Sequence, residues 1–431
     1  MPPRSAASRP ASSLASGTVS GTASAAASAA ASIPAPTAAP DISPAAVPVI
    51  VIAPDSFKGS LGAAAVAAAM AQGLRRALPG AQLRLRPMAD GGEGTLDAFM
   101  TGAARRQDVV VTDAAGGRRA APVAWLSAGR AVIESAEIVG ITDARAMQTP
   151  VAQRSSTGIG DALRALLDNA PPASHGVREV FVALGGSSTN DGGAGMLVAL
   201  GARLLDAAGR DVRPVPDAFA QIARIDLAGL DARLAGLALV AMSDVDSPLC
   251  GEHGATAVFG PQKGVTPAQV AVLDAALGHY ADCLERAAGR SARALPGAGA
   301  AGGLGYALLM LGARFAPGAE VLAEEIGLAA ALQDADWLIT GEGRSDTQTL
   351  RGKAPFVACQ YARAAGVPAT LLSGAVERTA LDALGAHFTG CFSIAPGPIA
   401  LDDAIRDAAH LLADAAEQLA RLRYGGQCSV S

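Results

Sequence analysis

The stretch Val47-Pro48-Val49-Ile50-Val51-Ile52-Ala53-Pro54-Asp55-Ser56-Phe57-Lys58-Gly59-Ser60 passes from an apolar run directly into a polar, glycine-bearing loop. A short run this rich in Val and Ile reads as a strand buried on both faces, the kind found in parallel sheets. The Ala- and Leu-rich segment that follows, from about Ser60 to Leu78 and stopped by Pro79-Gly80, reads as a helix. Strand, loop and helix open a βαβ unit, and the same texture recurs down the chain. Further strands are expected over 82–88, 109–112, 131–134, 179–184, 237–242, 336–340, 369–372 and 391–394. The expected fold class is therefore α/β, and 431 residues at roughly 150 per domain allow two or three domains.

Charge and composition exclude several functions. A net charge of −5 with scattered basic residues offers no footprint for nucleic-acid phosphates. No apolar run reaches the length of a membrane span, and the mean hydropathy of +0.31 comes from Ala and Val spread through the sequence. Five cysteines, odd in number, far apart and without a C-x-x-C pair, fit reduced thiols in a cytoplasmic protein. All but six of the first forty residues are Ala, Ser, Pro, Gly or Thr, so residues 1–46 are expected to be a disordered extension, with a targeting peptide as the competing reading. Of the 34 basic residues only three are lysines, Lys58, Lys263 and Lys353, and all three fall in glycine-rich loops. Where arginine is the default cation, a retained lysine marks a place that needs a compact point charge.

The loops that follow the expected strands carry the chemistry, because ligands of open α/β sheets bind beyond the carboxyl ends of strands. Asp55-Ser56-Phe57-Lys58-Gly59-Ser60 offers hydroxyls, a lysine and loop amides for an anion, against the plain reading of a turn capped by Ser60. Asp90-Gly91-Gly92-Glu93-Gly94-Thr95 offers two carboxylates for a cation or a substrate hydroxyl, with glycines that admit close backbone approach. Gly185-Gly186-Ser187-Ser188-Thr189-Asn190-Asp191-Gly192-Gly193 is the densest cluster and reads as a functional loop rather than a linker. Asp244 and Asp246 could share a hard cation if their loop bends. Lys263 sits on a turn-like loop, and Thr340 to Lys353 combines Glu342, Arg344, Asp346 and Lys353 for phosphate or metal work. No P-loop motif is present. The string at 297–302 fits G-x-G-x-x-G but follows no strand, and no histidine has a catalytic or metal-ligating spacing.

In combination these strings resemble the bacterial glycerate kinase family of the type that yields 2-phosphoglycerate. The likeness covers Val49 to about Leu422 and rests on I-A-P-D-S-F-K-G-S-L at 52–61, A-D-G-G-E-G-T at 89–95, G-G-S-S-T-N-D-G-G-A-G-M at 185–196, D-V-D-S-P-L at 244–249, V-F-G-P-Q-K-G at 258–264 and T-G-E-G-R-S-D-T-Q-T at 340–349. Ser188, Ser247 and Ser345 depart from the usual family residues, and Ser188 could adjust the substrate pocket. The resemblance implies an ATP-dependent kinase that turns D-glycerate into 2-phosphoglycerate, with 3-phosphoglycerate as the alternative product, and that has a flavodoxin-like domain, residues 47–119 plus 328–425, interrupted by a mixed α/β domain over 120–327. Its site would be a cleft between them. The residue chemistry suggests Mg²⁺ held by Glu342 and Asp346, with Asp244 and Asp246 in reserve. Lys58 and Lys353 would meet phosphate oxygens, and Asp55, Ser56, Asp90, Gly91, Gly92, Glu93, Gly185, Gly186, Ser187, Ser188, Thr189, Lys263 and Arg344 would meet substrate or phosphate. Asp191, beside Asn190, would orient or deprotonate the glycerate hydroxyl, and Arg344 or Ser56 would take its carboxylate. The partners expected are small molecules, glycerate and ATP, with no nucleic acid or membrane. Rival readings are a Mg²⁺-dependent phosphatase or hydrolase of a small phosphorylated metabolite, and a non-catalytic metabolite-binding protein.

Overall fold

The opening apolar run forms the strand Val49–Ile52, with three of its four residues buried. In the computed structural model, which describes residues 47–101, 104–169 and 176–425, this strand lies one in from the edge of a sheet. Gln82–Leu85 and Trp337–Thr340 flank it, and Ala369–Ser373 and Gly390–Ser393 complete the sheet beyond Trp337–Thr340. Every pairing in this five-stranded sheet is parallel. One face is covered by the helices Ala63–Ala77 and Ala408–Tyr424, which pack Val66, Met70, Leu74 and Leu412 against Ile50, Ile52 and Ile339. The other face is covered by Leu328–Leu332 and Ala354–Ala364.

A second, six-stranded sheet runs in the order Arg314–Ala316, Ala238–Met242, Glu179–Ala183, Arg130–Glu134, Arg118–Trp125 and Arg105–Thr112. Its first four strands are parallel, and the last two form an antiparallel hairpin on its edge. The fold is thus α/β with two α/β bodies, each built on one sheet. The hairpin joins 105–112 to 118–125 across the expected boundary near 119, so both its strands belong to the second sheet. The helix Gly318–Glu325 serves both bodies. Its Ala319 and Ala323 pack in the core of the first sheet, and its Val321 and Leu322 pack with Phe181 and Val240 on the second.

Each strand read from the sequence is present with an end shifted by a few residues at most, apart from 109–112, which begins at Arg105. Two strands of these sheets escaped, as did the four short strands of two further two-stranded sheets, Arg203–Leu205 with Arg224–Asp226 and Arg344–Ser345 with Ala375–Val376. Arg118–Trp125 begins with two arginines and contains Pro122, a residue that lacks the ladder donor, and Arg314–Ala316 is only three residues long. The first helix starts at Ala63 rather than near Ser60, because Phe57 and Leu61 bridge across a tight turn. Ser60 is therefore not a cap; its hydroxyl donates to the Ile405 carbonyl at 2.8 Å. Cys250, Cys283, Cys359 and Cys391 are free thiols, and no described helix is long and apolar enough to cross a membrane. The extension expected over 1–46 lies outside the described residues.

The helix pair on the first sheet touches at Gly73, where an added Cβ would sit 1.9 Å from the Ala413 carbonyl oxygen. In an exposed helix, Gly→Ala gains about 0.5–1 kcal/mol. Here the neighbour is backbone and cannot swing away, so overpacking at about 1–3 kcal/mol wins. Gly73→Ala should lower the unfolding free energy by about that amount in denaturant melts, and an unchanged or raised midpoint would refute the contact.

Candidate active site

The two bodies meet through glycines. The Gly185 N–H donates to the Gly91 carbonyl at 2.9 Å, joining the loop after Glu179–Ala183 to the loop after Gln82–Leu85. A Cβ on Gly185 would lie 2.4 Å from Gly92 Cα, and one on Gly318 would lie 2.3 Å from the Asp90 carbonyl oxygen. Only residues without side chains allow this approach. Across the same junction Glu134, 1 % exposed at the end of Arg130–Glu134, accepts from the Gly94 and Leu96 amides at 2.9 and 2.8 Å. It thereby caps the helix Thr95–Phe99, a task that Thr95 does not perform, since its hydroxyl donates to the Gly92 carbonyl. Burial pushes the Glu134 carboxyl up to about 7, against the pull of those two amides.

Beside this seam opens a cavity of about 390 Å³, lined by Lys58, Asp90 to Glu93, Gly185, Gly186 and the stretch Met242 to Val245. A second cavity, of about 480 Å³, is lined by Asp55, Ser56, Lys58, Glu342, Arg344, Asp346 and Lys353 on one side. Lys58 lines both cavities, its ammonium 3.9 Å from the Asp90 carboxylate. Asp90, with Asp55 and Glu342 further off, holds the Lys58 ammonium more firmly charged than usual. Asp55 is pushed up to about 7 by burial first and by the like charge of Asp90 next, although it accepts from the Ser56 amide. Glu342 accepts from Thr349 Oγ1 at 2.6 Å and Ser345 Oγ at 3.2 Å, with Lys353 Nζ 3.5 Å from its other oxygen. Asp346 turns one oxygen back to the Gln348 amide. In the first cavity Asp244 is pushed up to about 6 by desolvation, then by Asp90 and Glu320. The structure thus brings together Asp55, Ser56, Lys58, Asp90 to Glu93, Gly185, Gly186, Asp244, Glu342, Arg344, Asp346 and Lys353.

The rest of the glycine-serine loop turns inward. Ser188, Thr189, Asn190 and Asp191 are fully buried and line neither cavity. Asp191 accepts from the Ser156 amide at 2.7 Å, Ser156 Oγ at 2.8 Å, and the Gly193 and Gly195 amides at 3.2 and 3.1 Å. Its oxygens tie the loop to the start of the helix Thr157–Asp168, and burial raises its pKa despite these bonds. Asn190 Nδ2 donates to Thr256 Oγ1, and the Ser188 hydroxyl donates to the Val139 carbonyl. Lys263, 1 % exposed, donates through Nζ to the Thr189 carbonyl at 2.7 Å and reaches Ser187 Oγ at 3.2 Å. Arg154 lies beneath, donating to the Ser188 and Lys263 carbonyls. Thus Lys263, Asn190 and Asp191 shape the loop from behind, and Asp246 lines neither cavity. No group of three or more His, Cys, Asp or Glu among the described residues is disposed to hold a metal ion by itself.

Sequence reasoning missed Glu134, Ser243 and Arg154, and it missed the apolar side of the second cavity, which includes Ile394 and Leu401. Glu134 and Ser243 each sit at the end of a parallel strand, a position where site residues are to be sought. Arg154 and the apolar wall carry no such signal.

Burial lowers the Lys263 pKa to about 7, with Arg154 pushing the same way and Asp191 opposing. The unfolded lysine titrates near 10.5, so between about pH 7 and 10.5 the unfolded chain binds more protons and stability rises with pH. Lys263→Met should flatten the rise of unfolding free energy between pH 7 and 10 relative to the unsubstituted chain; parallel slopes would show that this ammonium stays charged in the fold.

The glycerate kinase family profile matches residues 50–424. A glycerate kinase of Bacillus subtilis is 41% identical over 379 residues, covering 86% of this chain and 96% of the relative. A glycerate 2-kinase of Escherichia coli is 38% identical over 370 residues, covering 83% and 93%. A crystal structure from Salmonella typhimurium, assigned as glycerate kinase 2, superposes with a TM-score of 0.76 at 39% identity, covering 88% of this chain and 99% of that one. With its two sheets, glycine seam and paired cavities, the chain belongs to the glycerate kinase family.

Proposed function

We propose that this protein transfers the γ-phosphoryl group of ATP to a hydroxyl of D-glycerate, giving 2-phosphoglycerate. The observation that carries this reading is Lys58, whose side chain borders both cavities. In this reading the nucleotide occupies the second cavity, with its phosphates toward Lys58, Arg344 and Lys353. Glycerate occupies the first, between Asp90 and the Gly185-Gly186 turn. The transferred group then crosses at Lys58, whose ammonium offsets charge on the moving phosphoryl oxygens. The two sheets are taken as two domains and the first cavity as the cleft between them, with the second cavity on the first domain beside it.

Asp90 replaces Asp191 as the group that orients or deprotonates the acceptor hydroxyl. It borders the acceptor cavity, whereas every bond that Asp191 makes is to its own loop and to Ser155 and Ser156. Two anionic substrates beside Asp55, Asp90, Glu93, Asp244 and Glu342 repel these carboxylates unless a cation intervenes. The donor set is all oxygen, and burial first and the like charge of Asp90 next raise Asp55, which fits a hard divalent ion such as Mg²⁺. Asp55, Glu342 and Asp346 would hold it, together with phosphate oxygens and water, as Mg²⁺ needs only one or two carboxylates. When bound, that ion supplies further neutralisation of phosphate charge. The Gly91, Gly92 and Gly186 backbones leave room for a three-carbon acid against the loops and, with Lys58, oppose its carboxylate.

ADP release measured with ATP and Mg²⁺, with and without D-glycerate, tests the reading. Glycerate-dependent release is expected, and ³¹P NMR should show 2-phosphoglycerate. Phosphate release that ignores glycerate would favour a hydrolase instead. Lys58→Met should lower kcat/KM by roughly 10²–10³-fold, the scale of one lost electrostatic contact to the transition state. Asp191→Asn should chiefly cost stability, about 1–3 kcal/mol for each buried amide left without its acceptor.

A further inference from the structure

The second cavity has two unlike walls. The loops after Val49–Ile52 and Trp337–Thr340 supply its charged wall. The opposite wall comes from the chain beyond Gly390–Ser393 and from the helices Leu401–Arg406 and Ala408–Tyr424, with Ile394, Ala395, Leu401, Ala404, Ile405 and Leu411 facing the space. None of these six side chains carries a hydrogen-bond donor or acceptor. Ser60, the hydroxyl at the border of the two walls, already donates to the Ile405 carbonyl. The wall is poorly covered: Leu401 is 73 % exposed, Ile405 is 37 % exposed, and Leu401–Arg406 buries none of its residues. Charge on one side and uncovered aliphatic surface on the other suit a ligand with a phosphate end and a flat apolar end.

Resting on the reading that a nucleotide phosphoryl donor fills this cavity, we infer that the 394–411 wall grips the base by apolar contact without reading its hydrogen-bonding edge, so the donor class is purine nucleoside triphosphates in general, GTP and ITP as well as ATP. Discrimination is a matter of what the wrong ligand leaves unpaired. A site that hydrogen-bonds a substrate group rejects the analogue lacking it by roughly 10⁴–10⁵-fold, because buried polar atoms lose their partners. An apolar slot separates ligands of similar shape by only about 10–200-fold. Adenine, guanine and hypoxanthine share one bicyclic outline and differ at their polar edges, which the side chains of Leu401, Ala404 and Ile405 have no polar atoms to engage. A pyrimidine offers less area to the same side chains and gains less from covering them.

The experiment uses the full chain with saturating D-glycerate and Mg²⁺, following nucleoside diphosphate release from ATP, GTP, ITP and CTP in turn. Values of kcat/KM for GTP and ITP within about a hundredfold of ATP are expected, with CTP the poorest. A wider gap between ATP and the other two purines would overturn the inference while leaving the kinase reading intact; the absence of glycerate-dependent turnover with all four triphosphates would overturn both. The double variant Leu401→Ala, Ile405→Ala should raise KM for ATP and GTP alike by roughly tenfold, with KM for D-glycerate unmoved. An unchanged KM for ATP would remove the wall from base binding.

Discussion

The contact on which the site depends is backbone against backbone. Gly91, Gly92, Gly185 and Gly318 let two loops and a helix start touch without side chains between them, and the Gly185 N–H to Gly91 bond fixes how the ends of the two sheets face each other. Any Cβ at Gly185 or Gly318 would meet main-chain atoms at 2.4 Å or less, and main chain cannot rotate aside as a side chain can. The first cavity inherits its shape from this seam, since Asp90 and Gly185 line it. Two further links stiffen it. Glu134 reaches from the second sheet to cap Thr95–Phe99, and Gly318–Glu325 has one face in each core.

The Gly185 to Gly193 loop divides its labour along its length. Its first two residues border the cavity, and the next five are buried. A loop driven into a protein interior must find partners for its own amides and carbonyls, because each one left unpaired costs about 1–3 kcal/mol. Asp191 answers the amides of 156, 193 and 195, Arg154 the carbonyl of 188, and Lys263 the carbonyl of 189. The hydroxyls, amide, carboxylate and lysine that make this string look like a reaction centre are largely what lets it be buried. The scarcity of lysine still carries meaning. Lys58 and Lys353 border the cavities, and Lys263 fits a single ammonium into a space among Ser187, Thr189 and Arg154.

The sequence made the sheets legible where strands are apolar and continuous, as in Val49–Ile52 and Glu179–Ala183, because burial on both faces leaves no polar position to blur the pattern. Arg118–Trp125 escaped because its outer residues are charged and an edge hairpin tolerates Pro122. The loops at strand ends were legible from topology alone. Which of their side chains face solvent was not: Asp191 and Asp90 look alike in the sequence, and only the packing of Thr157–Asp168 against the loop buries one and leaves the other at a cavity. The 394–411 wall was silent for the opposite reason, since aliphatic residues that face a ligand have the same pattern as those that face a core.

Charge balance links the two cavities more tightly than their separate linings imply. Among the described residues Lys58 is the sole cation bordering the first cavity, where Asp90, Glu93 and Asp244 also lie, and it borders the second as well. Its ammonium answers Asp90 first, with Asp55 and Glu342 pulling the same way, so an anion in either cavity competes for one shared charge. For an exposed pair in water such competition is worth about 0–1 kcal/mol. Lys58 is also well exposed, with 64 % of its side chain open, so water weakens that competition until ligands exclude it. Filling one cavity therefore changes what the other feels, through a side chain rather than through a rearrangement of either sheet.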